Sequence, residues 1–188
     1  MRIVTGVLKG RSIPYNPRLQ GRIRLTSSKL KEAIFAMLGA DLSGRSFLDL
    51  CAGCGQLGLE AHSRGARVTI NEPDKRRCTH IRTLLQEWNL QGIDLYSNKA
   101  QVLIPRLQTQ QRPFHTIYLD PPYHEHSHGR PLSLKLLELL GHDPVLEQDG
   151  LIFVQCQSDL DLPQTEGRLS LLRQRDYGKT ILGIYHPA

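Results

Sequence analysis

Asp49-Leu50-Cys51-Ala52-Gly53-Cys54-Gly55-Gln56-Leu57-Gly58 is the stretch whose reading decides the fold. It extends the apolar run Ser46 to Leu50 and leads into residues at helical spacing, so Gly53, Gly55 and Gly58 satisfy G-x-G-x-x-G at a strand-to-helix turn. Glycines there permit the tight turn and let a ligand approach backbone N–H groups at the helix N-terminus, which suits a nucleotide cofactor. Outward from this loop, short apolar runs alternate with helical stretches. The spacing predicts strands at Ser46 to Leu50, Arg67 to Asn71, Asp94 to Ser97, Thr116 to Asp120 and Leu151 to Gln155. It predicts helices from Ser27 or Ser28 to about Leu38, stopped by Gly39, and from Lys75 to Trp88. Strands with helices between them make an α/β, doubly wound (Rossmann-like) sheet, mostly parallel. Beyond Pro163, Leu169 to Arg173 and Thr180 to Tyr185 predict an antiparallel hairpin turning at Tyr177 and Gly178. At the other end, Arg2 to Ile13 predicts a short N-terminal β-hairpin, followed by an irregular loop from Pro14 to Gly21.

The length of 188 residues predicts a single domain over 1–188, and with 39% hydrophobic and 22% charged residues the chain can bury a core. No apolar run is long enough to span a membrane, and Met1 to Gly10 has no apolar core of a secretion signal. Four cysteines are no disulfide framework, so the expected location is the cytoplasm. The net charge of +6 is uneven. Residues 1–31 hold eight basic side chains and no acid, whereas the rest carries sixteen basic and eighteen acidic groups. A basic front end of this kind is an expected contact for a polyanion, with 1–26 as the extension that meets it.

Two further places carry chemistry. Glu72 ends the second strand nineteen positions after Gly53, where a carboxylate accepts hydrogen bonds from unphosphorylated ribose hydroxyls, either of NAD or of S-adenosylmethionine. Asp49, four residues before Gly53, gives acid-x-Cys-x-Gly-x-Gly, closer to the S-adenosylmethionine signature of class I methyltransferases than to a nicotinamide fingerprint. At the end of the fourth strand stands Asp120-Pro121-Pro122-Tyr123. Its prolines fix the backbone and remove two N–H donors, leaving a row of acceptors beside an aromatic ring. The Asp120 carboxylate and the Pro121 carbonyl can hold both N–H bonds of an exocyclic base amine, and Tyr123 can stack on a flipped base.

With these residues the chain resembles the RsmD-type family of bacterial ribosomal RNA guanine-N2 methyltransferases. The resemblance runs through Arg2-Ile3-Val4-Thr5-Gly6, Lys9-Gly10-Arg11, Arg24-Leu25-Thr26, Lys31-Glu32-Ala33-Ile34-Phe35, Asp49 to Glu60, Glu72-Pro73-Asp74, Asp120 to Tyr123 and Tyr177-Gly178-Lys179-Thr180. It implies a seven-stranded class I sheet with its last pair as a hairpin, and S-adenosyl-L-methionine as methyl donor. It also implies methyl transfer to the 2-amino group of one guanine in small-subunit (16S) ribosomal RNA, met within an assembled or assembling small subunit. Asp120, Pro121, Pro122 and Tyr123 are then catalytic. The cofactor would lie against Asp49, Cys51, Ala52, Gly53, Gly55, Gly58, Glu72, Pro73, Asn98, Lys99 and Ala100. Arg2, Lys9, Arg11, Arg22, Arg24, Thr26 and Lys29 would meet RNA. The chain departs from the family at Cys51 and Cys54, where an aromatic and a serine are usual, at Leu25 in place of proline, and at Gln155, where an acid is common. Lys99 stands where related enzymes place Asp or Asn near the adenine. Lysine cannot accept from the adenine amine, so Asn98 is the candidate for that contact.

The rival readings are amino methylation of adenine or cytosine in DNA or of a protein amide, a nicotinamide oxidoreductase, and an assembly factor that binds RNA without catalysis. The Cys51-x-x-Cys54 pair lacks a second pair at zinc spacing, so no metal is expected. His124, His126 and His128 read as a solvated loop, and Trp88 as core.

Overall fold

A computed structural model describes residues 1–188 apart from Arg22, Arg24, Asp143 and Pro144. It divides into two compact units, Met1–Asn98 and Lys99–Ala188.

In the first unit, short strands β1 (Ser46–Asp49), β2 (Arg67–Asn71) and β3 (Ile93–Tyr96) pair in parallel in the order β3-β2-β1. β1 is buried along its whole length, as a strand covered on both faces must be. The connections are α3 (Gln56–Ser63) and α4 (Lys75–Glu87). Ahead of them lie a single turn α1 (Pro17–Gln20) and α2 (Ser28–Leu38). Ser27 caps α2 by accepting from the Leu30 N–H, and Gly39 ends it at φ 101°, as its sequence signals predict.

In the second unit, α5 (Ala100–Thr109) precedes β4 (Phe114–Leu119), and β4 pairs in parallel with β7 (Leu146–Gln157). The helix α6 (Leu132–His142) lies between them in sequence. β7 is longer than predicted because Leu146 already joins the ladder opposite Phe114. β9 (Leu169–Asp176) and β10 (Thr180–Pro187) form the expected antiparallel hairpin, with β10 lying against β7 in the order β7-β10-β9. The two-residue strand β8 (Thr165–Glu166) adds to β9.

Three stretches differ from the sequence expectation. Arg2 to Ile13 folds back on itself as expected, with the antiparallel bridge of Arg2 and Ser12 flanked by the Ile3–Arg11 and Ile13–Met1 backbone bonds, but the pairing is too short to form strands. Its tip also bonds to α3, where the Val4 and Thr5 N–H groups donate to Glu60 and the Val7 N–H to the Ser63 carbonyl. Ile3, Leu8 and Ile13 are thereby buried against Cys54, Leu59 and Leu84. The loop from Pro14 to Gly21 contains α1, because Asn16 caps it and Pro17 fixes its first φ. The histidine stretch forms a small hairpin of β5 (His126–Ser127) and β6 (Arg130–Pro131), with His128 and Gly129 at φ 52° and 76° as a two-residue turn needs. Arg130 pins it by ion pairs to Glu138 and Glu166.

Candidate active site

The glycine loop is built as its sequence requires. Gly53 and Gly55 hold φ of 58° and 77°, which side chains disfavour. At Gly58 a Cβ would stand 2.8 Å from Ile70 Cγ1, so only glycine lets α3 pack this close to β2. Asp49 is buried and its Oδ2 accepts from the Gly58 N–H at 2.9 Å, tying the end of β1 to the helix. Gly55 caps α3 without a side-chain acceptor. Cys51, Ala52 and Gly53 are partly exposed between buried neighbours, whereas Cys54 is buried and burial pushes its thiol up to about 11. All four cysteines are thiols, and no cluster of metal-ligating side chains occurs among the described residues.

Glu72 is almost fully buried at the end of β2. Its Oε2 accepts from the Gly53 N–H at 2.7 Å, and its Oε1 from the Asp74 N–H at 2.8 Å. Arg77, in the first turn of α4, donates Nε to the same Oε1 at 3.0 Å. Burial raises the Glu72 carboxyl above its ordinary range, and the hydrogen bonds and Arg77 oppose that shift. The sequence reading missed two residues here. Arg77 gave no signal, since an arginine on an exposed-looking helix is ordinary. Asn71 is buried, with Nδ2 donating to the Leu50 and Asn98 carbonyls at 3.0 Å and Oδ1 accepting from the Asn98 N–H. It thus joins the loops after β1 and β3 beside Glu72. Pro73 is exposed. In the second unit, Lys99 is exposed and caps α5 through its backbone alone, and Ala100 is buried. A buried carboxylate, a helix N-terminus without a side-chain cap and glycines at positive φ fit a nucleoside cofactor.

The second unit holds the Asp120-Pro121-Pro122-Tyr123 turn just past the C-terminal end of β4. Asp120 is half-buried, Pro121 buried and Pro122 exposed. The Glu125 N–H closes the turn on the Pro122 carbonyl at 3.0 Å. Tyr123 donates its hydroxyl to Thr180 Oγ1 at 3.2 Å, which fixes the ring. Behind Asp120, the buried Tyr118 hydroxyl lies 2.6 Å from Gln155 Oε1 and 3.4 Å from Asp120 Oδ2. Gln155, singled out in the sequence only as a departure, accepts the Tyr118 hydroxyl proton in the shorter bond and so holds that ring beside Asp120. A cavity of about 200 Å³ opens beside Pro121, Pro122 and Tyr123.

In the basic front end Arg2, Lys9, Arg11 and Lys29 are exposed and Thr26 is half-buried, while Arg22 and Arg24 lie outside the described residues. Arg11 lies over the half-buried Trp88 ring at 5.2 Å. Lys31, counted among the front-end charges, faces inward instead. It is 2% exposed and its Nζ donates to Glu60 at 2.9 Å.

This fold is that of class I methyltransferases. Protein TTHA0928 of Thermus thermophilus is 25% identical with a TM-score of 0.80, over 99% of both chains. SMU.776, a methyltransferase solved with S-adenosylhomocysteine, has a TM-score of 0.68 at 13% identity, over 86% of this chain and 50% of that one. The chain is an S-adenosylmethionine-dependent methyltransferase. Its residues 1–186 match the family model described as conserved hypothetical protein 95. YlbH of Bacillus subtilis (strain 168) is 35% identical over 98% of each chain. Ribosomal RNA small subunit methyltransferase D of Haemophilus influenzae (strain ATCC 51907 / DSM 11121 / KW20 / Rd) is 31% identical, over 98% of this chain and 93% of that protein. The chain belongs to this RsmD-type family.

Proposed function

We propose that the protein transfers a methyl group to the exocyclic N2 amine of a guanine in small-subunit ribosomal RNA, as a single cytoplasmic domain acting on an assembled or assembling subunit. The observation that carries this reading is the Asp120-Pro121-Pro122-Tyr123 turn, closed by Glu125 and anchored through Tyr123 to Thr180. Membership in the family of ribosomal RNA methyltransferases supports the choice of substrate.

When bound, S-adenosylmethionine supplies a sulfonium methyl group as electrophile. Among the chain's own residues, Glu72 Oε2 is the ribose acceptor, since it carries one donor, the Gly53 N–H, whereas Oε1 is committed to both Asp74 and Arg77. The loop Asp49 to Gly58 would hold the amino-acid end through backbone groups, with Pro73 the candidate neighbour of the ribose and Asn98, Lys99 and Ala100 the candidates for the adenine. A guanine amine is a poor nucleophile because its lone pair is delocalised into the ring. Asp120 and the Pro121 carbonyl accept its two N–H bonds, which orients the lone pair, while Pro122 keeps the turn rigid and Tyr123 stacks on the base. The rate gain comes mainly from alignment. Arg2, Lys9, Arg11, Arg22, Arg24, Thr26 and Lys29 engage RNA.

Labelled S-adenosylmethionine is offered with unmodified small subunits, naked ribosomal RNA and duplex DNA, and the products are read as nucleosides by mass spectrometry. N2-methylguanosine from the ribosomal substrates is the expected result. Methylated adenine or cytosine from DNA, or no transfer at all, overturns the reading.

A further inference from the structure

We propose that the cavity beside the Asp120–Tyr123 turn selects guanine, with Asp159 accepting from N1–H and Gln157 donating to O6; this rests on the turn being the amine-holding site. The cavity, about 200 Å³, is smaller than the roughly 300 Å³ and more of sites that enclose drug-sized ligands, a size suited to one ring system. Pro121, Pro122 and Tyr123 form one side of it, so a base whose amine is held by the turn extends into this space. Leu132 and Leu160 give it an apolar lining. Its polar groups include Gln157, at the C-terminal end of β7, and Asp159 in the loop that follows. β7 runs parallel to β4, so these groups and Asp120 leave the same edge of the second unit's sheet. Ligands of α/β sheets bind at that edge.

Base chemistry then distinguishes the three amino bases. In adenine and cytosine, the ring nitrogen beside the amine on the pairing edge is an acceptor. In guanine it is N1–H, a donor, followed by the O6 acceptor. Gln157 Nε2 donates to Asp159 Oδ2 at 3.1 Å. Both side chains are exposed, and that bond uses one Gln157 amide hydrogen, so the second hydrogen and the other Asp159 lone pairs can offer a base a donor beside an acceptor. This pattern complements N1–H and O6 of guanine. Adenine or cytosine would set a ring lone pair against the carboxylate and lose that contact, which lowers their fit to the site.

The test uses Asp159→Asn and Gln157→Ala in the full chain, with melting midpoints confirming the fold. Single-turnover rates are measured on small-subunit RNA carrying either guanine or 2-aminopurine at the methylated position. 2-Aminopurine keeps the amine but replaces N1–H with an acceptor and lacks O6. Wild type should prefer guanine by about tenfold or more, the discrimination of one good base contact. Asp159→Asn should lose about tenfold on guanine and most of that preference, with binding of S-adenosylmethionine and of RNA unchanged. Gln157→Ala should lose rate in the same direction. N2-methylguanosine from wild type together with an unaltered guanine rate and preference in Asp159→Asn overturns this proposal alone. A wild-type product other than N2-methylguanosine overturns the parent reading with it.

Discussion

Asp120 shows how much one side chain carries. Held half-buried after β4 with Tyr118 behind it, it is the only carboxylate in the proline turn. Asp120→Ala should lower single-turnover methyl transfer by at least about a hundredfold, the scale of a lost oriented acceptor group, with RNA affinity kept. Turnover near wild type would remove Asp120 from its role. Lys31 makes a different point. With Arg64 it neutralises Glu60, which is fully buried and holds the Val4 and Thr5 amides. Lys31→Met leaves Glu60 with Arg64 alone and removes one buried charged hydrogen bond, so it should cost about 2 kcal/mol in urea unfolding. Hydrogen exchange at the Val4 and Thr5 amides should rise with it, and an unchanged unfolding midpoint would contradict this account.

At the scale of elements, α4 is tied to the end of β2 through Glu72. Asp74 caps it by accepting from the Arg76 and Arg77 N–H groups, and Arg77 of the same first turn reaches back to Glu72. The Arg76 side chain, bonded to Asp74, is the main reason its carboxyl falls to about 2. A lowered carboxyl contributes stability above its unfolded value and loses it as pH falls from about 4 to about 2. Asp74→Ala should therefore cost about 1 kcal/mol at neutral pH and flatten the acid limb of the stability profile. Asp74→Asn should keep most of the cap but flatten the same limb, and an acid limb unchanged in both variants would sink the assignment. The motif spacing made α4 visible, yet its coupling to Glu72 was not, because an arginine five residues on carries no signal until the helix begins.

At the scale of the whole molecule, the net charge of +6 is carried by the front end, and the fold edits that arithmetic. Lys31 turns inward, whereas Lys9 and Arg11 remain exposed. Replacing both with Glu should weaken RNA binding and reduce the slope of log affinity against log salt by roughly 1.4 to 1.8, about 0.7 to 0.9 per lost phosphate contact. An unaltered slope would make this segment a solvated surface.

The five parallel-sheet strands, helices α2 and α4, the C-terminal hairpin, the glycine loop and the proline turn were determined by the sequence alone. Each is a local pattern whose physics acts within a few residues: alternation, capping, positive φ and fixed proline backbone. Only the tertiary structure decided that Glu60 captures the N-terminal segment, that Arg77 and Asn71 flank Glu72, that Tyr118 and Gln155 stand behind Asp120, and that Asp159 and Gln157 share a cavity with Tyr123. Most of these pairings join residues far apart in the chain, and Arg77 reaches Glu72 only through the turn and helix between them. Burial forces such polar groups to find partners, and which partners they find is fixed by packing rather than by spacing along the sequence.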